Sequence, residues 1–355
     1  MKMTPRERVL RALRRQVPDR VPKSFGWTPP VLEMMRARIG DVHPHDYFGV
    51  EIRSVGPAPA RHPGDFSRYF AELSLPSETR IDQWGMAEIP DPHVHYTTYV
   101  HPMARLTSVE ELGEYPFPDL LADYRWEEVP AKVADLHARG LAAEGGMACT
   151  IFERAWYLRS MDQLFADFAW NPAFAEALLD RITAISCGMA ERYARADVDV
   201  IEMGDDVSMQ RGMLMSPATW RRWLKPRLAK VIQSARAVKP DVIVKYHSDG
   251  NPSAIIPELI EIGVDVLNPV QPECIDPAEA KRLYGDRLAF WGTMGIQTTM
   301  PFGTPAEIAE VVRERIRTVG EGGGLLIAPT HVLQPDVPWK NVVAFFEAVE
   351  MYGAY

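Results

Sequence analysis

The sequence of 355 residues predicts an α/β protein: a (β/α)8 TIM barrel with an N-terminal helical extension and a long insertion over the barrel mouth. Short apolar runs of strand length alternate with capped helices from about residue 140 onward. The runs are continuously apolar, as is typical of parallel strands buried on both faces. A doubly wound sheet is the alternative, because the strand count does not show whether the sheet closes. The length fits a single barrel domain over residues 1–355.

Helices are predicted from their first residues. Each predicted start has a capping residue followed by proline, and the clearest also carry glutamate at the third helical position. The cap oxygen and the glutamate accept hydrogen bonds from backbone N–H groups that have no partner inside the helix, while proline has no N–H to lose. The predicted starts are Thr4-Pro5, Asn171-Pro172, Ser216-Pro217, Asp276-Pro277 and Thr304-Pro305.

Strands are predicted where short apolar runs lie between these helices. The predicted strands are DRVPKSFG at 19–26, GLAAEGG from 140, VDVIEMG from 198, DVIVKYH from 241, VDVLNPV from 264, RLAFWG from 287 and GGLLIAP from 323. Residues 40 to about 130 break the alternation, with prolines, aromatics and polar residues that follow no helical period. We expect an irregular lid there, with a β-hairpin around Asp91-Pro92.

Composition limits the class of protein and its partners. Apolar residues make up 46% and charged residues 25% of the chain, as in ordinary globular proteins. The formal net charge of −9, without a dense Lys/Arg run, argues against nucleic acid and favours a small-molecule substrate or a protein partner. No signal-peptide pattern or long apolar stretch occurs, so we expect a cytoplasmic protein that does not bind a membrane. The odd, scattered cysteines Cys149, Cys187 and Cys274 predict neither a disulfide framework nor a CxxC zinc site.

Candidate metal ligands lie at the C-terminal ends of the predicted strands, where the loops of an α/β barrel converge. They are Glu202, His247, Asp249 and His331. Imidazole and carboxylate are common zinc ligands, and two carboxylates neutralise the dication. Each residue also has a structural alternative: Asp249 as a helix cap or Asx turn before Gly250, and His247 as a hydrogen-bonded histidine at a strand end.

Candidate catalytic and substrate-binding residues lie at the same edge of the predicted sheet. The catalytic candidates are Asp205, Asp206, His247 and His331. Asp205 and Asp206 have an alternative, in which one pairs with Arg211 and the other is solvated. The candidate substrate-binding residues are Glu153, Arg154, Trp291 and Gln334. Glu153 and Arg154 either form a buried pair that orients a substrate carboxylate or begin a helix.

Two histidine pairs, at 43–45 and 93–95, have a spacing that some metal sites use. Both pairs lie in the predicted insertion without a cysteine or acidic partner at ligand spacing, so we interpret them as structural. The glycine-rich stretch at 321–326 lacks the GxGxxG order, and no Walker lysine occurs. A nucleotide site is therefore not predicted.

The sequence resembles the uroporphyrinogen decarboxylase superfamily across nearly the whole chain. The segments that carry the resemblance are TPRERVLRALRRQVPDRVP, FERAWYLRSMDQLFADF, DVIEMGDDVSMQRGMLMSPATWRRWLKPRL, VKYHSDGN, GVDVLNPVQ, LAFWGTMGIQ and APTHVLQPDVPWKNV. The resemblance implies a (β/α)8 barrel with an N-terminal extension. True uroporphyrinogen decarboxylases use no metal and have an arginine-containing segment after the first strand, where this chain reads KSFGWTPPVLEMMR without the arginine pair.

The resemblance is closer to the branch of zinc-dependent methyltransferases that act with a corrinoid protein and bind zinc through His-x-Cys and a later cysteine. Here His247-Ser248-Asp249 stands at the first position, and His331 lies near the second. Without thiolates, zinc is a harder Lewis acid that suits an O- or N-methyl substrate. The expected function is methyl transfer to a corrinoid on a partner protein. The alternatives are a metal-free decarboxylase of an aromatic or pyrrolic acid and a non-catalytic binding barrel; neither the substrate nor the oligomeric state is predicted.

Overall fold

A computed structural model of the protein describes residues 3–62, 64–91 and 97–355. The strands are β1 Ile52–Val55, β2 Arg80–Ile81, β3 Ala87–Pro90, β4 Thr97–Val100, β5 Ala142–Ala148, β6 Val200–Gly204, β7 Ser208–Met209, β8 Gly212–Met213, β9 Ile243–His247, β10 Val266–Asn268, β11 Ala289–Met294 and β12 Leu325–Pro329. The helices are α1 Pro5–Leu13, α2 Pro29–Ile39, α3 Pro44–Tyr47, α4 Ser67–Phe70, α5 Val109–Gly113, α6 Asp123–Trp126, α7 Val129–Ala138, α8 Phe152–Arg159, α9 Met161–Trp170, α10 Pro172–Arg195, α11 Pro217–Trp223, α12 Lys225–Val238, α13 Ile256–Ile262, α14 Pro277–Tyr284, α15 Thr299–Phe302, α16 Pro305–Thr318 and α17 Trp339–Tyr352.

A curled parallel sheet forms the centre of the molecule. Its seven strands follow the order β1-β5-β6-β9-β10-β11-β12, so each strand pairs with the next strand of the sheet along the chain. Strands β9 to β12 are almost completely buried, and the helices that connect the strands cover the outer face. The predicted fold class, a TIM-barrel-like α/β protein, is confirmed.

The predicted first strand at 19–26 is an extended segment beside β12. Ser24 donates its backbone N–H to the carbonyl of Ile327 at 3.1 Å, and Ile327 donates to the carbonyl of Pro22 at 2.9 Å. Isolated parallel bridges at Lys23 and Trp27 replace a continuous ladder. Pro22 has no N–H to give to a ladder, which explains why the pairing is interrupted.

A buried carboxylate lies between this segment and β1. Glu51 immediately precedes β1, and its Oε2 accepts the backbone N–H of Lys23 at 3.0 Å. Its Oε1 lies 3.3 Å from Arg8 Nη1 and 3.4 Å from Arg20 Nη2. One carboxylate therefore links the N-terminal helix, the extended segment and β1.

Residues 40–130 are less irregular than expected. They contain β1, which is a strand of the main sheet, and the three-stranded antiparallel sheet β2-β3-β4. Because Arg53 and Ser54 interrupt its apolar run, β1 gives no strand signal in the sequence. The hairpin predicted around Asp91-Pro92 is confirmed by the antiparallel pairing of β3 with β4; Pro92 itself, and the predicted His93 and His95 pair, lie outside the described residues.

Local capping produces the helix starts that the sequence predicts. Thr4 and Thr304 form reciprocal capping boxes with the glutamates three residues later. Ser216 and Asp276 accept hydrogen bonds from backbone N–H groups of the first turn, while α10 begins after Asn171 without a side-chain cap. None of the helices in the described ranges is long and apolar enough to cross a membrane.

The histidine pair at 43–45 packs among aromatic rings. The Nε2 atom of His45 lies 3.0 Å from the carbonyl oxygen of Phe25, and the ring centroid lies 4.7 Å from that of Trp27. Burial lowers the pKa of His45 to about 4. This environment agrees with the structural interpretation of the pair, because the imidazole stays neutral and its Nε2 is already hydrogen-bonded.

We expect His45 to make the protein less stable as the pH falls. Its pKa is about 4 in the folded chain and about 6.5 when unfolded, so the stability that the neutral ring provides is complete above pH 6.5 and is lost as the pH falls toward 4. Between pH 7 and pH 5, the wild type should lose on the order of 1–2 kcal/mol more unfolding free energy than His45→Gln. Urea unfolding at both pH values measures the difference; parallel curves for the two proteins would contradict the prediction.

Candidate metal centre

His247 is oriented by a neighbouring strand end. It is the last residue of β9, and Asn268, the last residue of β10, lies opposite it in the register. Asn268 Nδ2 donates to the carbonyl oxygen of Trp291 at 3.0 Å, so its Oδ1 faces His247 Nδ1 at 2.5 Å. This arrangement places the proton of the neutral imidazole on Nδ1 and leaves the lone pair of Nε2 available.

Two carboxylates face that nitrogen. His247 Nε2 lies 3.7 Å from Asp206 Oδ1 and 3.7 Å from Asp249 Oδ1. Potential ligand atoms of the three residues all lie within 4.8 Å of one another. Asp206 is fixed on both sides, because its Oδ1 accepts the N–H of Asp249 at 2.7 Å and its own N–H donates to Glu153 Oε2 at 3.0 Å.

The three side chains fit a divalent cation. Asp249 Oδ1 is buried without a hydrogen-bond partner among the described residues, which is costly unless another positive group contacts it. Two ionised carboxylates and a neutral imidazole carry a charge of −2. Two ligands at about 2.1 Å from one tetrahedral ion lie about 3.4 Å apart, close to the two 3.7 Å separations. The alternative without metal is a protonated His247 between the two aspartates.

The structure brings together two of the four predicted ligands, His247 and Asp249, and adds Asp206, which was predicted as catalytic. Glu202 instead binds Lys245, with Nζ and Oε1 2.9 Å apart. His331 is exposed after β12 and lies outside the group. Burial raises the pKa of Asp249, and the nearby His247 and His331 oppose that rise.

Asp205 points away from this group and caps a helix. Its carboxylate accepts backbone N–H groups from Ile151 at 3.0 Å and from Glu153 at 2.9 Å, at the start of α8. Burial raises the pKa of Asp205 to about 7. Among the described residues, neither Asp205 nor Asp206 forms an ion pair with Arg211. The two adjacent aspartates therefore face different environments: Asp205 holds α8, and Asp206 faces His247.

The predicted substrate-binding residues are divided between two places. Glu153 is buried beside Asp206, and burial, followed by the charges of Asp205 and Asp206, raises the pKa of Glu153 to about 8. Arg154 points toward the insertion, where its guanidinium lies 4.7 Å from the ring centroid of Trp84. Among the described residues no ion pair joins Glu153 and Arg154; both lie in the first turn of α8, as in the alternative interpretation.

Trp291 and Gln334 lie on the β11 and β12 side of the sheet. The ring of Trp291 contacts the ammonium of Lys245, with Nζ 4.0 Å from the centroid. Gln334 Oε1 is buried without a hydrogen-bond partner in the described part of the chain.

Sequence reasoning missed a buried ion triad below the candidate metal centre. Lys245 Nζ lies 2.6 Å from Glu144 Oε1 and 2.9 Å from Glu202 Oε1. Burial lowers the pKa of Lys245, but the two carboxylates outweigh it and the net shift is upward. The sequence signal was a lysine inside an apolar strand, which requires buried carboxylate partners. Asn268 was also missed as a site residue. Its only sequence signal, an amide side chain at the end of a predicted strand, is weaker than that of a lysine inside an apolar strand.

Comparisons with known proteins give three findings. The family model described as uroporphyrinogen decarboxylase (URO-D) matches residues 133–352. The methylcobamide:CoM methyltransferase MtaA of Methanosarcina barkeri is 30% identical over 179 residues, which cover 50% of this chain and 49% of that protein. A uroporphyrinogen decarboxylase of Coxiella burnetii is 23% identical over 187 residues, 52% of this chain and 49% of that protein. The chain thus spans about half the length of the curated relatives it matches.

A solved structure has the same fold over the full chain. The methyltransferase from Methanosarcina mazei superposes with a TM-score of 0.71 and covers 99% of both chains at 21% sequence identity. At that identity the similarity shows the fold alone. The relatives named here are enzymes of two kinds, methyltransferases and decarboxylases.

Proposed function

The chain belongs to the uroporphyrinogen decarboxylase (URO-D) family, and on that premise we propose that it is a metal-dependent methyltransferase. It moves a methyl group from a small O- or N-methyl substrate to a corrinoid carried by a partner protein. The observation that carries the proposal is the group formed by Asp206, His247 and Asp249. Similarity to the Methanosarcina barkeri methyltransferase supports the reaction class and the corrinoid.

Zinc is the metal that we propose, held by His247 Nε2 and by the carboxylates of Asp206 and Asp249. A zinc ion held by these residues would supply a Lewis acid able to polarise the oxygen or nitrogen that carries the methyl group. A ligand set of one nitrogen and two oxygens, without thiolate, suits oxygen or nitrogen leaving atoms better than it suits a thiol substrate. We therefore propose an O- or N-methyl substrate and not a thiol.

The surrounding residues hold the ligands in place. Asn268 fixes the ring orientation and tautomer of His247 through the 2.5 Å contact with Nδ1. The Glu153 carboxylate fixes Asp206 by accepting the backbone N–H of Asp206 at 3.0 Å. Tyr99 of the insertion packs on Tyr157 of α8, with ring centroids 5.1 Å apart. The insertion thereby contacts α8, the helix that begins beside Glu153.

The decarboxylase alternative rests on the similarity to uroporphyrinogen decarboxylases. It needs a carboxylate and a proton donor that face the substrate without metal. Asp205 does not suit this role, because its oxygens accept backbone N–H groups of α8. Asp206 and His247 would have to provide both functions, so the two proposals use the same residues and differ in their need for metal.

The test is metal analysis of the native protein together with assays of both reactions. We expect stoichiometric zinc and transfer of methyl from a methoxy or methylamine substrate to added cob(I)alamin, with loss of transfer after chelation and recovery with Zn²⁺. Carbon dioxide release from an aromatic acid that resists chelation would select the decarboxylase. Absence of stoichiometric metal together with activity that resists chelators would refute the metal-dependent proposal.

A further inference from the structure

A cleft of about 890 Å³ lies at the ends of β1 and β5, between the sheet and the insertion. Its charged lining residues are Arg125, Arg154 and Asp82. Two cations and one anion give the cleft a net charge of +1, opposite in sign to the formal net charge of −9 of the whole protein. The volume is in the range of small-molecule sites.

Arg125 contributes a buried charge without a carboxylate partner. It is 3% exposed, and its guanidinium donates to the carbonyl oxygens of Ala58 at 2.9 Å and Asp119 at 3.3 Å and to Gln83 Oε1 at 2.9 Å. All three acceptors are neutral. Within residues 3–62, 64–91 and 97–355, no ion pair involves Arg125. A buried arginine without a counter-charge is rare, which indicates that a ligand supplies the anion.

Arg154 contributes a second cation with a free donor. Its Nη1 lies 3.5 Å from Asp82 Oδ2, a long contact, and its Nε is buried without a hydrogen-bond partner in the described chain. The other carboxylate oxygen of Asp82 accepts the N–H groups of Trp84 at 2.8 Å and Met86 at 2.9 Å. Asp82 is therefore occupied mainly by the backbone of the insertion and neutralises Arg154 weakly.

We propose that this cleft binds the carboxylate of a substrate that has an apolar body, with Arg154 and Arg125 as the anion subsite. The guanidinium fork of Arg154 matches a planar carboxylate, and apolar side chains supply the rest of the wall. These are Val55, Pro57, Pro59, Ile81 and Met189.

The proposal deepens the proposed function and rests on it for the identity of the substrate. Arg154 follows Glu153, which is hydrogen-bonded to Asp206. Strand β5, whose Gly146 lines the cleft, and strand β9, which carries His247, are separated by β6, so the two strands lie roughly 10 Å apart. An aromatic acid with a methoxy or methylamino group has dimensions of that order. The substrate class is therefore a methylated aromatic carboxylic acid.

The test compares the binding of 4-methoxybenzoate with that of neutral 4-methoxybenzamide, by titration calorimetry on the full chain. Wild-type protein should bind the benzoate at least about tenfold more tightly, because the amide lacks the charge that the arginines compensate. Arg154→Gln should lose that preference, and Arg154→Lys should keep part of it. The matched control is Arg222→Gln, since Arg222 is exposed and does not line this cleft, and its guanidinium lies 4.8 Å from the ring centroid of the buried Trp223. Inorganic phosphate as a competitor distinguishes a general anion site from a carboxylate site.

Equal affinity for the two probes, or an unchanged preference in folded Arg154→Gln, would overturn the subsite. Displacement of the benzoate by phosphate at similar concentration would overturn its carboxylate specificity. The comparison of the two probes on wild-type protein stands even if a variant fails to fold. Retained benzoate preference in His247→Ala separates the two proposals: the subsite then holds whether or not the protein transfers methyl groups.

Discussion

His247→Ala is expected to lose bound zinc and to reduce methyl transfer by roughly a thousandfold or more. The imidazole is the one nitrogen donor of the proposed group, and its Nε2 lies 3.7 Å from each aspartate oxygen. Removing an outer-shell partner of a metal ligand typically costs about 10- to 100-fold, so removing the ligand should cost more. Metal analysis and isothermal competition with a chromogenic chelator measure the affinity, and single-turnover methyl transfer measures the activity.

Two further variants give the prediction its specificity. Asn268→Ala removes the acceptor at Nδ1 and should weaken zinc binding by about 10- to 100-fold, less than the loss of His247 itself. Glu202→Gln should keep its zinc, because Glu202 binds Lys245 and lies outside the group. Zinc content that depends on Glu202 and His331, and not on Asp206, would restore the ligand set predicted from the sequence and refute the one proposed from the geometry.

Lys245→Ala is expected to lower the free energy of unfolding by about 3–5 kcal/mol. Lys245 is buried between Glu144 and Glu202, and its removal leaves two carboxylates without a cation in the interior of the sheet. Their repulsion adds to the cost of burial, so a carboxyl must take up a proton before the chain can fold. Urea unfolding at pH 7 measures the loss, and part of it should be recovered at lower pH.

A triple variant without charges separates the effect of charge on stability from the effect of packing. Lys245→Met combined with Glu144→Gln and Glu202→Gln should regain most of the stability, because no charge is left buried. Lys132→Ala is the matched surface control: its ammonium lies 2.9 Å from Glu128 on the exposed face of α7, and solvent screens that pair. An equal loss in the single variant Lys245→Met and in the neutral triple variant would show that the unpaired charges of Glu144 and Glu202 do not cause the loss.

Local sequence determined the helix starts and most of the central strands. Proline after a capping residue acts within one turn of helix, so Thr4 and Thr304 begin helices whatever lies around them. Continuous apolar runs gave the strands of the central sheet from β5 onward, whereas the two-residue strands β7 and β8 were not predicted. The strand β1 was missed because two of its four residues, Arg53 and Ser54, are polar and hide the apolar pattern. Its extended conformation depends on pairing with β5, which the local sequence does not show.

The chemical identity of the site was determined by sequence in part and by tertiary structure for the rest. The chain order placed His247 and Asp249 at strand ends together with the acidic residues Glu202, Asp205 and Asp206, because parallel strands end at the same edge of a sheet. Which carboxylate faces the imidazole depends on register, and register joins residues more than forty positions apart. Glu202 lies opposite Lys245 in the pairing of β6 with β9 and is neutralised there, while Asp206, two residues beyond the strand, turns toward His247.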